Sequence, residues 1–255
     1  MIANEKEYLI VKEKLQTLLL DLERMEKKKV AADDLLHFIR MDAVRAEIEE
    51  LKIEIKQYYL SNAKQHAAME DFDATLEDYK KILEMDEGSS PIILNLIGRL
   101  FLAKRDYPKA VEYFSINLPE GYTGLGDAYA GMKDYKAAIF NYTSAIATDP
   151  GNYSAYNNRA DTYKAMGKYE DALNDIFEAI ELNPDKAIAY LTLAEIYAHS
   201  EKLNEFYLTF EHALKLDKEV VDGIIRSESY YQQFFKEERF TALLEKYNVD
   251  AVNNS

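Results

Sequence analysis

The chain of 255 residues contains no cysteine and no tryptophan, and only five prolines and nine glycines. Without cysteine there is no disulfide framework and no thiolate to ligate a metal or attack a substrate, which suits a reducing compartment. Scarce proline and glycine, together with no runs of alternating β-branched residues, point away from strands and toward helices. No apolar stretch reaches the 18 or so residues needed to cross a bilayer. The first residues, MIANEKEYLIVKEKLQ, lack a basic segment followed by an apolar core and a cleavage site, so the expectation is a soluble, cytoplasmic protein. Positive charge is also short: 31 Lys and Arg stand against 46 Asp and Glu, a net charge of −15. Such a balance opposes phosphate backbones and anionic lipid, so neither nucleic acid nor a membrane surface is an expected partner.

What the chain does have is a repeat. Residues 150–184 read PGNYSAYNNRADTYKAMGKYEDALNDIFEAIELNP, and the step from Pro150 to Pro184, taken in either direction, returns the same chemical types. Tyr122, Tyr156 and Tyr190 share one slot, and Gly126, Ala160 and Ala194 the next. Tyr129, Tyr163 and Tyr197 follow, then Ala138, Ala172 and Phe206, then Ala145, Ala179 and Ala213. An aromatic, a small residue four positions on and an aromatic three further fall on one helix face. The small residue implies a second helix crossing close by, and Pro150 and Pro184 end each pair.

At these residues the chain resembles the tetratricopeptide repeat (TPR) family. Tyr122, Leu125, Gly126 and Tyr129, followed by Ala138, Tyr142 and Pro150, fill the family pattern with tyrosine in place of tryptophan. The resemblance implies an all-α fold, a right-handed superhelix of about five helical pairs, with repeats at about 56–90, 91–118, 119–152, 153–186 and 187–220. The repeat at 91–118 is short. Leu94, Gly98, Phe101, Tyr107, Ala110 and Phe114 recur at Tyr122, Gly126, Tyr129, Tyr135, Ala138 and Tyr142, each six positions early. The missing positions belong to the end of its second helix and the following loop. The glycines at 121, 124, 126 and 131 then read as a tight, slightly pliable joint.

Residues 1–55 lie outside the repeats. Tyr8, Val11, Leu15, Leu18, Leu22 and Met25 make one narrow apolar seam, and Met41, Val44, Ile48, Leu51, Ile55 and Tyr58 a second. The lysines at 27–29 mark a turn between them, with Asp33 or Asp34 as the cap of the second helix. The spacing predicts an antiparallel helical hairpin, the alternative being a homodimer through these N-terminal helices. With no glycine or proline between Val30 and Glu87, one helix is expected from about Asp33 to about Met69. Residues 221–255 are expected to close the array with further helices, rich in aromatics up to Tyr247, before DAVNNS as a frayed end.

No catalytic constellation appears. His37, His66, His199 and His212 have no partner at metal-ligand spacing, and GYTGLGDAYAG fails the spacing of a nucleotide loop and follows no strand. The expectation is a protein that is not an enzyme and has no cofactor and no metal. In the TPR family the first helix of each pair lines a concave face that holds peptides or partner helices. Carried over slot by slot, that groove comprises Lys64, Asn95, Arg99, Thr123, Asp127, Asn157, Asn158, Asp161, Lys164, Thr192, Glu195 and His199, passing from basic to acidic along the chain. TPRs that clamp the acidic tails of chaperones need further lysine, arginine and asparagine. Here Asn158 holds one clamp slot, but Thr123, Asp127, Ile188 and Thr192 occupy the others, and Asp127 would repel a carboxylate. The chaperone clamp is therefore excluded. The functional reading is a protein–protein interaction scaffold that binds a peptide or helix of a partner protein. The alternative is a peptide-responsive regulatory sensor whose solenoid controls the N-terminal hairpin.

Overall fold

Spacing of apolar side chains at three and four residues dictates the architecture, and the computed structural model is all-helical among the residues it describes, 2–28, 35–86 and 90–249. The expected cap at Asp33 or Asp34 and the final residues 250–255 lie outside that range. The chain divides into two compact units, residues 1–100 and 101–255.

In the first unit α1 (Glu5–Lys27) starts at Asn4, whose side chain accepts a hydrogen bond from the Glu7 amide. Acidic residues occupy its first turn and Arg24 and Lys27 its last, as the helix dipole favours. The helix α2 (Leu35–Ala68) continues for 34 residues, about 51 Å at 1.5 Å per residue. Three ties set the two antiparallel. The Tyr8 and Tyr59 hydroxyls meet at 2.5 Å, Lys14 pairs with Glu47 at 2.7 Å, and Arg45 with Glu26 at 3.0 Å. Met41, Ile48, Leu51 and Ile55 of the second seam are buried, and Tyr58 stacks on Tyr8 at 4.9 Å. Then α3 (Phe72–Met85) folds back on α2, placing Thr75 and Ile82 in the small slots, both buried. His66 Nδ1 and Asp78 Oδ2, 2.9 Å apart, tie the pair.

The unit boundary falls within α4 (Pro91–Ala103). Beyond it α5 (Tyr107–Ile116) has 10 residues, against 14 in each of α7 (Tyr135–Thr148), α9 (Tyr169–Leu182) and α11 (Leu203–Leu216). The missing turn is where the shortened repeat puts it. Each of these second helices packs on the first helix before it: α6 (Tyr122–Gly131), α8 (Tyr153–Ala165) and α10 (Ala187–His199). The small slots sit at the crossings. Ala138, Ala160, Ala172, Ala179, Ala194 and Ala213 are fully buried. A methyl group built on Gly126 would lie 2.3 Å from the Tyr142 ring, and one on Gly124 would lie 2.4 Å from that of Phe114. These glycines are there for close approach, which accounts for the tightness of the joint.

The turns inside the pairs share one geometry. Glu70, Arg105, Lys133, Gly167 and Glu201 all take the left-handed conformation, with φ between 57 and 72°. The next amide reaches back five residues in every case, for example from Asp134 N–H to Tyr129 O at 2.9 Å and from Lys202 N–H to Tyr197 O at 2.8 Å. That bond closes the first helix as a Schellman motif. In the first three turns the following residue, Asp71, Asp106 or Asp134, also caps the second helix by accepting an amide hydrogen.

After α11 come α12 (Lys218–Ser227), a 3-10 helix (Ser229–Lys236) and α13 (Glu238–Lys246). They bury Val221, Ile225, Tyr231, Phe234, Phe240 and Leu244 against Phe206, Tyr207, Phe210 and Leu214. Phe206 occupies a slot that is alanine in the two preceding pairs. Its ring stacks on Phe234 at 4.6 Å and lies 6.4 Å from Phe240. The larger side chain fills space that the C-terminal segment encloses.

Candidate functional site

The first helices α6, α8 and α10 carry the same repeat in register, so one slot holds Asp127, Asp161 and Glu195, and Asn158 and Thr192 share another. In the second unit these side chains line a cavity of about 620 Å³ together with Asn157, Lys164 and His199. Eight of the twelve expected groove residues thus meet there. Thr123 does not line it, and its hydroxyl accepts from Asn152 Nδ2 at 3.1 Å. Lys64, Asn95 and Arg99 belong to the first unit and do not line this cavity.

The polar groups are wired to one another. Asp127 Oδ1 accepts from Tyr142 Oη and from Asn158 Nδ2, both at 2.8 Å. Asn157 Nδ2 donates in turn to Asn158 Oδ1 at 3.2 Å. The asparagine that matches the chaperone clamp is therefore engaged with a neighbouring carboxylate. Arg159, beside it in sequence, turns to the core side and forms a two-pronged ion pair with Asp175, both bonds 2.7 Å.

At the other end Lys164 sits between carboxylates, 2.5 Å from Asp161 and in direct contact with Glu195. Burial would lower its pKa, but Asp161 and Glu195 outweigh burial and hold it above the usual lysine value, so it stays charged. Glu195 Oε1 also accepts from Tyr231 Oη at 2.6 Å. Burial, and then the Glu195 charge, push the Tyr231 hydroxyl well up, so it remains a donor. His199 lies at the rim, stacked on Tyr230 at 4.9 Å. Burial and the nearby Lys164 ammonium lower its pKa, which keeps the imidazole neutral at neutral pH.

The C-terminal segment adds what the repeat pattern alone did not reveal. Ile224 and Glu228 complete the lining, and Tyr231 holds Glu195. The hydrophobic spacing of residues 221–247 announces packing, and no period links Glu228 to the groove slots. Tyr142 was legible as a core aromatic; its hydroxyl bond to Asp127 was not. Among the described residues no group of three or more His, Cys, Asp or Glu is placed to hold a metal ion, and no helix is long and apolar enough to cross a membrane.

Comparison with known proteins follows the same periods. Tetratricopeptide-repeat sequence profiles match residues 60–118, 119–152, 153–186 and 187–220. A thermophilic TPR protein of Thermus thermophilus superposes with a TM-score of 0.60 at 21% identity, covering 67% of this chain and 96% of that one. MamA from Desulfovibrio magneticus RS-1 gives 0.51 at 18% identity, over 65% and 96%. Both likenesses concern the fold. Lipopolysaccharide assembly protein B of Escherichia coli K12 is 38% identical over 61 residues, 24% of this chain and 15% of that protein's length.

Proposed function

Because the chain belongs to the tetratricopeptide-repeat family, we propose that it is a non-catalytic protein–protein interaction scaffold whose cavity between α6, α8, α10 and α12 receives a peptide or helix of a partner protein. One observation carries this reading. Three first helices in register turn polar side chains toward one concavity of about 620 Å³, within the range of roughly 300–1,000 Å³ typical of ligand sites. Amide, hydroxyl and carboxylate groups on a rigid helical frame suit recognition of a polypeptide. The wiring among Asp127, Asn158, Lys164, Glu195 and Tyr231 pre-organises them, which lowers the ordering cost of binding.

The test blocks the cavity and leaves the frame alone. Ala165 is exposed and lines the site, so Ala165→Trp places a large ring at the mouth without entering the core. Immobilised wild-type and variant chains are challenged with an extract of the source cell, and retained proteins are quantified by mass spectrometry. The reading expects at least one direct partner whose affinity for the variant falls about tenfold, a change of roughly 1.4 kcal/mol. An identical set of partners at identical affinities would place binding elsewhere on the molecule.

A further inference from the structure

Four carboxylates, those of Asp127, Asp161, Glu195 and Glu228, line the cavity, against the single ammonium of Lys164. Lys164 is taken up by Asp161 and Glu195, and the His199 imidazole adds no charge at neutral pH. Glu228 stands apart: its carboxylate makes no hydrogen bond and no ion pair with any described residue. A second feature of different origin agrees. Asn157 is only 7% exposed, and while its amide nitrogen donates to Asn158, its carbonyl oxygen is buried without a donor. A buried acceptor left unsatisfied is unusual in folded proteins. The cavity therefore carries a surplus of negative charge and an acceptor that no donor of the fold satisfies.

We infer that the cavity takes the basic side chain, lysine or arginine, of a segment of the partner protein, with Glu228 as its principal counter-ion and Asn157 Oδ1 as an added acceptor. This rests on the scaffold reading above. An ammonium supplies three donors and a guanidinium five, each able to satisfy a carboxylate and an amide oxygen together. Burial raises the pKa of Glu228, the Glu195 charge adds to it, and Lys164 opposes them. A second cation at this point would reverse that balance. A free polyamine offers the same chemistry. A polypeptide is the committed source because lining residues come in turn from α6, α8, α10 and α12, a track along which a chain can lie.

Random twelve-residue peptides displayed on phage are selected against the full chain, then synthesised with a fluorescent label and measured by anisotropy. Selected sequences should share a lysine or arginine, and replacing it by glutamine should weaken binding at least about tenfold. Glu228→Gln should weaken binding comparably without lowering the melting temperature, since the Glu228 side chain holds no bond in the fold and burial and the Glu195 charge disfavour its ionised form. Rising salt should weaken binding to the wild type more than to that variant. Peptides that bind, are lost in Ala165→Trp, and yet carry no required basic residue would overturn this inference and leave the scaffold reading standing. Full displacement of the peptides by spermidine at equal concentration would reassign the site to a small amine. Selection that yields no peptide sensitive to Ala165→Trp would overturn both readings.

Discussion

At single positions, the decisive quantity is the volume allowed where two helices cross. Ala172 is fully buried at the crossing of α8 and α9. Ala172→Leu forces three extra carbons into a filled space and is expected to cost about 1–3 kcal/mol in chemical denaturation. Gly126→Ala is a sharper case, because intrinsic helix propensity favours alanine by about 1 kcal/mol. The added methyl would meet the Tyr142 ring, and Tyr142 cannot yield freely while its hydroxyl is bonded to Asp127. Net destabilisation is expected; a variant as stable as the wild type, or more so, would show that Tyr142 moves easily. These slots were legible in the sequence because residue size recurs with the repeat, as at Gly126, Ala160 and Ala194. The bonds made by the polar atoms were not, since a period reports the face on which a residue lies and not which neighbour its oxygen or nitrogen will meet. Glu228 is the extreme instance, joining the site from outside the repeats.

For the helices that follow the last pair, two expected outcomes can be stated. The first concerns acid. Glu211 on α11 accepts from Lys246 at 2.7 Å and from Tyr247 Oη at 2.9 Å, tying α11 to the end of α13. The Lys246 bond and then the Tyr247 bond lower its pKa from 4.5 to about 2. A carboxylate depressed in the folded state contributes stability that is complete above pH 4.5 and disappears as the pH falls toward 2. The difference in melting temperature between wild type and Glu211→Gln should therefore narrow across that window, and a constant difference would rule the linkage out. The second concerns removal. Residues from Val221 to Leu244 bury a continuous apolar cluster on α11. A chain lacking residues 218–255 should expose Phe206 and Phe210, lose more helix by circular dichroism than the deleted segments account for, and associate. A truncated chain that stays monomeric with full remaining helicity would make the segment an independent arm. That these residues pack was legible from their aromatic spacing. The 3-10 helix at Ser229–Lys236 was not, since paired aromatics at Tyr230-Tyr231 and Phe234-Phe235 fit several short helical forms.

Across the whole chain, the repeat period foretold the pairs, their order and the shortened repeat, because each depends only on where apolar and small side chains recur. It did not foretell that all five internal turns are left-handed, because only Gly167 advertises that conformation. The other four positions hold Glu70, Arg105, Lys133 and Glu201, side chains that cost about 1–2 kcal/mol in the left-handed region. The turns persist because the helices on either side fix them, and so each retains strain that the fold tolerates. This amounts to a reserve of unused stability spread along the protein. Replacing Arg105, Lys133 and Glu201 with glycine should relieve that strain at three separate places, with a gain reduced by the greater freedom glycine confers on the unfolded chain. Gains at three separate turns should add, and the triple variant's melting temperature should exceed that of any single one. None of the three residues lines the cavity, so peptide affinity should be unchanged. Robustness and recognition can then be tuned independently, the first at the turns and the second in the cavity.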